Sequence, residues 1–99
     1  MFFHHVWFAW KADATPDQIS AACAALAAMA GRIPGVVSVS VGRNVTTRTS
    51  HTHGLLVVLE KEEDLAAYDA HEVHQEVVKT FIKPIIASVA ALDYTHGVY

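Results

Sequence analysis

The sequence predicts an α+β fold of the ferredoxin-like β-α-β-β-α-β type, with helices on one face of a four-stranded antiparallel sheet. Three observations carry this expectation. Four strand-like runs are interleaved with two stretches of helical periodicity in that order. Two of the strands, Val6-Trp7-Phe8-Ala9-Trp10 and Leu55-Leu56-Val57-Val58-Leu59, are apolar on both sides. A sheet with one wet face alternates apolar and polar residues, so both faces here need cover. Hydrophobic residues also make up 53% of a 99-residue chain. A domain this small has trouble hiding that much apolar surface alone. Helices cover one sheet face, and a second copy of the chain is the simplest cover for the other.

Each element has its own local reason. Residues 3–11 are aromatic, branched and bulky, which suits a pleated strand. Thr15-Pro16-Asp17-Gln18 reads as a helix start: Thr15 caps, Pro16 fits the first helical position, and Gln18 closes a capping box. Ile19, Ala22, Cys23, Leu26, Met29 and Ala30 then recur at helical spacing, and Gly31 is the expected stop. Ile33-Pro34-Gly35 is a connector. Val36 to Val41 reads as a strand with Val37, Val39 and Val41 on one face, and the polar, Thr-rich stretch 43–50 as a loop. Residues 51–60 form the third strand. Glu62, Glu63 and Asp64 favour the start of a short helix through its dipole, and that helix carries Tyr68. A second helix from about Glu72 carries Val73, Val77, Val78, Phe81 and Ile82, with Pro84 ending it. Residues 88–95 make the last strand. No repeat, linker or low-complexity segment divides the chain, so residues 1–99 are expected to be one domain.

Charge and composition narrow the function. Seven Lys and Arg stand against ten Asp and Glu, with no basic stripe or run. That argues against nucleic acid and anionic membrane as partners. No apolar run approaches the ~20 residues of a membrane span, and the first residues lack the basic region of a signal peptide. Cys23 is the only cysteine, so no intrachain disulfide forms, and a reducing cytoplasmic setting is expected. No Gly-rich phosphate loop occurs.

The chemistry-bearing residues are His4, His53, Tyr68 and His74. His4 and His53 lie on two apolar strands, while Tyr68, His71 and His74 follow as a Tyr-x-x-His-x-x-His string near one helical face if the helix is continuous. Imidazole titrates near neutrality and phenol is a directional donor. Two accounts fit the set. In an apolar pocket they move protons; otherwise they are polar lining with local partners. His5 has the opposite parity to His4 and should face the dimer side. His71 reads as a helix-start residue, and His51 and His96 as solvated strand-end residues. Three converging imidazoles could bind zinc or copper, but histidines three apart do not match the zincin pattern, and no acidic residue sits at an obvious pocket position. Neither a metal nor another cofactor is expected.

Four segments in order resemble the stress-responsive A/B barrel, or Dabb, family. They are His5 to Lys11 (His-Val-x-Phe-x-x-Lys), Ile33-Pro34-Gly35-Val36 with Val39 and Gly42, Ala70-His71-x-x-His74-Gln75, and Asp93-Tyr94. Glu72 departs from the pattern, since the family usually has proline after the first histidine. The resemblance implies a dimeric α+β barrel. It implies function less sharply, because most members have no assigned activity. One plant member closes a linear tetraketide by an aldol step, and its pocket tyrosine and three pocket histidines match Tyr68, His74, His4 and His53. Relatives of this barrel also include hydroxynitrile lyases. The resemblance therefore implies a cofactor-independent lyase or polyketide cyclase acting on a small, mostly apolar carbonyl compound. His74 would be the base, Tyr68 the orienting donor, and His4 and His53 the polar lining. Phe8, Trp10, Leu55, Val57, Val77 and Phe81 would supply the apolar walls. The rival account is a non-catalytic, stress-related ligand-binding barrel, and a His-rich metal-binding protein is a more distant one.

Overall fold

Residues 1–99 are described by a computed structural model. The strands are β1 (Phe2–Trp10), β2 (Val36–Arg43), β3 (His53–Leu59) and β4 (Ile86–Thr95). The helices are α1 (Pro16–Ala27), α2 (Asp64–Ala70) and α3 (Glu72–Val77), and α3 runs into a π-helical turn, Val78–Ile82. All strand pairs are antiparallel in the order β2-β3-β1-β4, so β3 and β1 are central. This is the expected β-α-β-β-α-β order. No helix is long and apolar enough to cross a membrane.

Strand parity decides what each side chain meets. In β1, Phe2, His4 and Phe8 are buried under the helices, whereas Trp7 is exposed on the opposite face. In β3, Leu55, Val57 and Leu59 are buried in phase with them. These residues join Ala22, Leu26 and Met29 from the α1 region, Tyr68, Val77 and Ile82 in the core between sheet and helices. Burial of the apolar side chains is the main term holding these layers together.

The start of α1 follows the sequence closely. Thr15 Oγ1 accepts from Gln18 N at 3.1 Å, Gln18 Oε1 accepts from Thr15 N at 2.9 Å, and Pro16 opens the helix. Its end differs from expectation. The α-helix stops at Ala27, and the Met29 and Ala30 amides bond three residues back, so a tightened turn carries the chain to Gly31 at φ 76°. The Ile33-Pro34-Gly35 turn needs its glycine. Gly35 has φ 84°, and a Cβ there would lie 2.7 Å from Asp64 Cγ.

The helices around the histidines divide where the sequence places the division: α2 ends at Ala70, His71 is extended (φ −64°, ψ 139°), and α3 starts at Glu72, so Tyr68 and His74 lie on separate helices. His71 Nδ1 accepts from Val73 N at 3.1 Å and caps α3, the helix-start role expected of it. The departure from expectation is the π-helical turn, where Lys83 N bonds Val78 O five residues back. The wider turn changes which residues face the sheet.

Candidate active site

The centre of the candidate site is Tyr68. It is completely buried, yet its hydroxyl has no hydrogen-bond partner. Burial first, and the nearby Asp69 carboxylate second, push its phenol well above the ordinary tyrosine range. The side chain therefore stays protonated and offers an unused O–H. An unpartnered buried polar group is uncommon in folded proteins and calls for an explanation.

Two imidazoles flank it. The Tyr68 and His74 ring centroids are 4.5 Å apart, and those of His4 and Tyr68 are 5.6 Å apart in an edge-on arrangement. His74 Nδ1 lies 3.0 Å from the Asp69 carbonyl oxygen. A carbonyl only accepts, so Nδ1–H is the donor. His4 Nδ1 lies 2.5 Å from Asp93 Oδ1. An ionised carboxylate also only accepts, so His4 Nδ1–H is the donor there.

Asp93 is a partner of His4 that the sequence reading did not single out, and it stands behind the imidazole outside the cavity lining. It was hidden because it lies 89 residues from His4, on an edge strand whose helix-side residues are mostly exposed. The available signal was register. Once β4 pairs antiparallel with β1, Asp93 falls opposite His4, in phase with Val89 opposite Phe8.

His4, Tyr68 and His74 share a partly open, mostly apolar cavity of about 180 Å³ between sheet and helices. Of the expected site residues, His4, Tyr68, His74, Phe8 and Leu55 line it. Val6, Leu26, Val78, Ile82 and Val89 complete the wall. Val57 and Val77 are core residues outside that lining, and Phe81 packs partly buried against the core. Val78 and Ile82, both in the π-helical turn, face the cavity in their place.

Trp10 and His53 also stand outside this wall and serve one another. Trp10 stacks on Phe8 with centroids 5.1 Å apart, and its Nε1–H donates to His53 Nδ1 at 3.0 Å. Thr52 Oγ1 is also 3.0 Å from that nitrogen. Desolvation, with the Arg43 charge behind it, lowers the His53 pKa and favours the neutral ring that can accept these bonds. Burial likewise raises the pKa of the half-buried Cys23 thiol. No three His, Cys, Asp or Glu side chains come together in a metal-holding arrangement.

The opposite sheet face is apolar and open. Trp7, Leu92 and Tyr94 are exposed there, and with His5, Ala90 and Ala91 they line a hollow of about 450 Å³. His5 stacks on Tyr94 on this side, as its parity required.

Comparison with known proteins places this architecture. A stress-response A/B barrel domain-containing protein of Arabidopsis thaliana is 34% identical over 93 residues, covering 92% of this chain and 35% of that protein. The chain thus spans about a third of that relative's length. Among solved structures, a dimeric ferredoxin-like protein of unknown function from Thermobifida fusca superposes with a TM-score of 0.83 at 23% identity, covering 95% of this chain and 89% of that one. A hydroxynitrile lyase from Passiflora edulis superposes with a TM-score of 0.83 at 16% identity, covering 99% and 95%. At these identities the two structures establish the shared fold. The model of the stress responsive A/B barrel domain family matches residues 2–96, and the chain belongs to that family.

Proposed function

We propose that this protein is a homodimeric barrel that binds a small, mostly apolar carbonyl compound and performs cofactor-independent acid–base chemistry on it, of the aldol cyclase or lyase type. The observation that carries this reading is the partnerless Tyr68 hydroxyl, enclosed beside two imidazoles whose Nδ1 atoms are already engaged. Tyr68 O–H would donate to a substrate carbonyl oxygen and stabilise charge developing there. His74 Nε2 would take the proton alpha to that carbonyl and return one to the alkoxide formed. In an aldol closure the electron pair released from carbon forms the new C–C bond, and the acceptor carbonyl's π pair moves to oxygen. Protons and electrons balance without an external oxidant. The hydroxynitrile lyase of similar fold supports carbonyl chemistry as one use of this barrel.

The test is direct. The protein is incubated with a linear triketide thioester and, separately, with mandelonitrile, and products are followed by chromatography and mass spectrometry. Turnover by the wild type that is lost in a folded His74→Ala variant supports the reading. No turnover of either probe counts against it. The second reading is ligand binding without turnover; in either case a cavity of about 180 Å³, below the ~300–1,000 Å³ usual for small-molecule sites, restricts the ligand to a small one.

Dimerisation through the open sheet face belongs to the same proposal. Trp7, Leu92 and Tyr94 give that face its exposed apolar surface. The Thermobifida fusca protein of the same fold is described as dimeric, which supports the assignment.

A further inference from the structure

The two signs of charge are unevenly spread along this chain. Every Asp and Glu falls before residue 18 or after residue 59, and every arginine, Arg32, Arg43 and Arg48, falls between them. Two of these arginines meet at one place. Arg43 ends β2 and Arg48 stands in the loop that leads to β3, and both line a hollow of about 400 Å³ beside Trp7. No Asp or Glu lines it, and neither guanidinium pairs with a carboxylate anywhere in the protein. In a chain with a net charge of −3, arginines left without an acid do not reflect a shortage of acids.

The hollow is shaped by side chains that its strands omit. Gly42 and Gly54 are cross-strand partners, and Gly54 also lies opposite Trp7 in β1. Neither has the positive φ that would call for glycine. A Cβ on Gly42 would meet nothing within 4 Å, and one on Gly54 would touch the Trp7 ring at an ordinary 3.7 Å. A glycine inside a strand weakens it, and it marks places where something else approaches the backbone. Here the pair leaves a bare floor between the Trp7 indole and the loop.

The loop wall has a fixed shape. Asn44 Nδ2 donates to His51 O at 2.9 Å, Asn44 Oδ1 accepts from Thr46 N at 2.9 Å, and Asn44 N donates to Thr52 O at 2.8 Å. Thr49 Oγ1 lies 3.0 Å from His51 Nδ1. The loop is tied to itself around one amide side chain, so a ligand does not have to order it.

A guanidinium presents a planar fork of donors that matches an oxyanion. Two of them suit a dianion better than a single carboxylate. The hollow is also wider than a phosphate group needs, and one of its walls is an indole. We propose that this hollow binds a phosphate monoester, with Arg43 and Arg48 on the phosphate and the Trp7 ring against the organic group. Solvated surface arginines would need neither the glycine floor nor the ordered loop. Trp7 also lines the apolar hollow of the open sheet face, so the site lies at the rim of the proposed dimer interface. It is separate from the cavity at Tyr68 and does not depend on the carbonyl-binding reading.

The experiment is calorimetry on the purified protein at fixed ionic strength and about pH 8, where a phosphate monoester is a dianion. The probes are phenyl phosphate, inorganic phosphate and benzoate. Phenyl phosphate should bind about tenfold tighter than either, because benzoate lacks the second charge and inorganic phosphate lacks the ring. Arg43→Gln and Arg48→Gln should each weaken it about tenfold, the worth of one charge-assisted hydrogen bond. Gly42→Val fills the floor and should remove binding. Lys79→Gln deletes an exposed charge outside the hollow and should change nothing. In NMR spectra the Trp7 indole N–H should shift with phenyl phosphate and the Trp10 one should not. No binding of phenyl phosphate by wild type, equal binding of benzoate, full affinity in Gly42→Val, or equal weakening by Lys79→Gln overturns the proposal. If Gly42→Val does not fold, the arginine variants set against Lys79→Gln decide the matter. If wild type takes no phosphate and Arg48→Gln breaks the dimer, the second copy fills the hollow and the proposal falls.

Discussion

A phenol hydroxyl that is buried and bonds nothing is a stability cost carried for another purpose. Tyr68→Phe keeps the ring packing and removes the orphan O–H. We expect it to leave unfolding midpoints unchanged or raise stability by about 1 kcal/mol. The same substitution should weaken carbonyl binding and slow turnover. A fall in stability with binding intact would show that the hydroxyl has a structural partner after all. His74→Ala should remove most of the rate while leaving the chain folded, because α3 is capped by His71 and not by His74. Circular dichroism beside the product assay separates the two effects. His4, Tyr68 and His74 could be singled out from sequence because strand parity and a short histidine string are local signals. Asp93 could not, since its meaning depends on a register between chain ends.

At the level of elements, the first helix and the third strand make separate predictions. Thr15→Ala removes the cap and breaks the reciprocal box with Gln18, so it should cost about 1 kcal/mol in denaturant unfolding. Unmoved midpoints would refute that role for the cap. His53 links the end of β3 to Trp10 as an acceptor, and its pKa is lower in the folded chain than its ordinary value. The folded state thus favours the neutral ring. Its stabilising contribution is fully present above the ordinary histidine value of ~6.5 and is lost as pH falls through the lower folded value. Between neutral and mildly acidic pH, wild type should lose more stability than His53→Gln does. Equal acid sensitivity would show that the Trp10 bond does not depend on the neutral ring. The elements themselves were legible from periodicity and caps. The choice of cavity wall was less so. Val73, Val77, Val78, Phe81 and Ile82 all recur at helical spacing, and of these Val78 and Ile82 line the cavity, a choice that spacing alone does not make.

For the whole molecule, the decisive feature is a sheet with two apolar faces and helices on only one. The sequence shows this in β1 and β3, where neighbouring residues are apolar regardless of parity. The structure turns it into a surface: Trp7 is 48% exposed and Leu92 63%, beside Tyr94 and a hollow of about 450 Å³. Large exposed apolar patches mark association sites. Two copies meeting face to face would bury these residues against each other by a two-fold axis, since one self-complementary patch suffices. A stable association of this kind should bury more than ~1,200 Å² in total. Sedimentation at micromolar concentration should therefore find a dimer, independent of metal or reductant. Trp7→Glu together with Leu92→Glu places charge at the centre of the patch and should yield a monomer or an aggregating chain. The cavity with Tyr68 lies on the other side of the sheet, so a soluble monomeric variant should keep the Tyr68 environment and its ligand affinity. Loss of ligand binding in a folded monomer would show that the partner copy helps shape the site. A wild-type chain that sediments as a monomer would remove the interface assignment altogether.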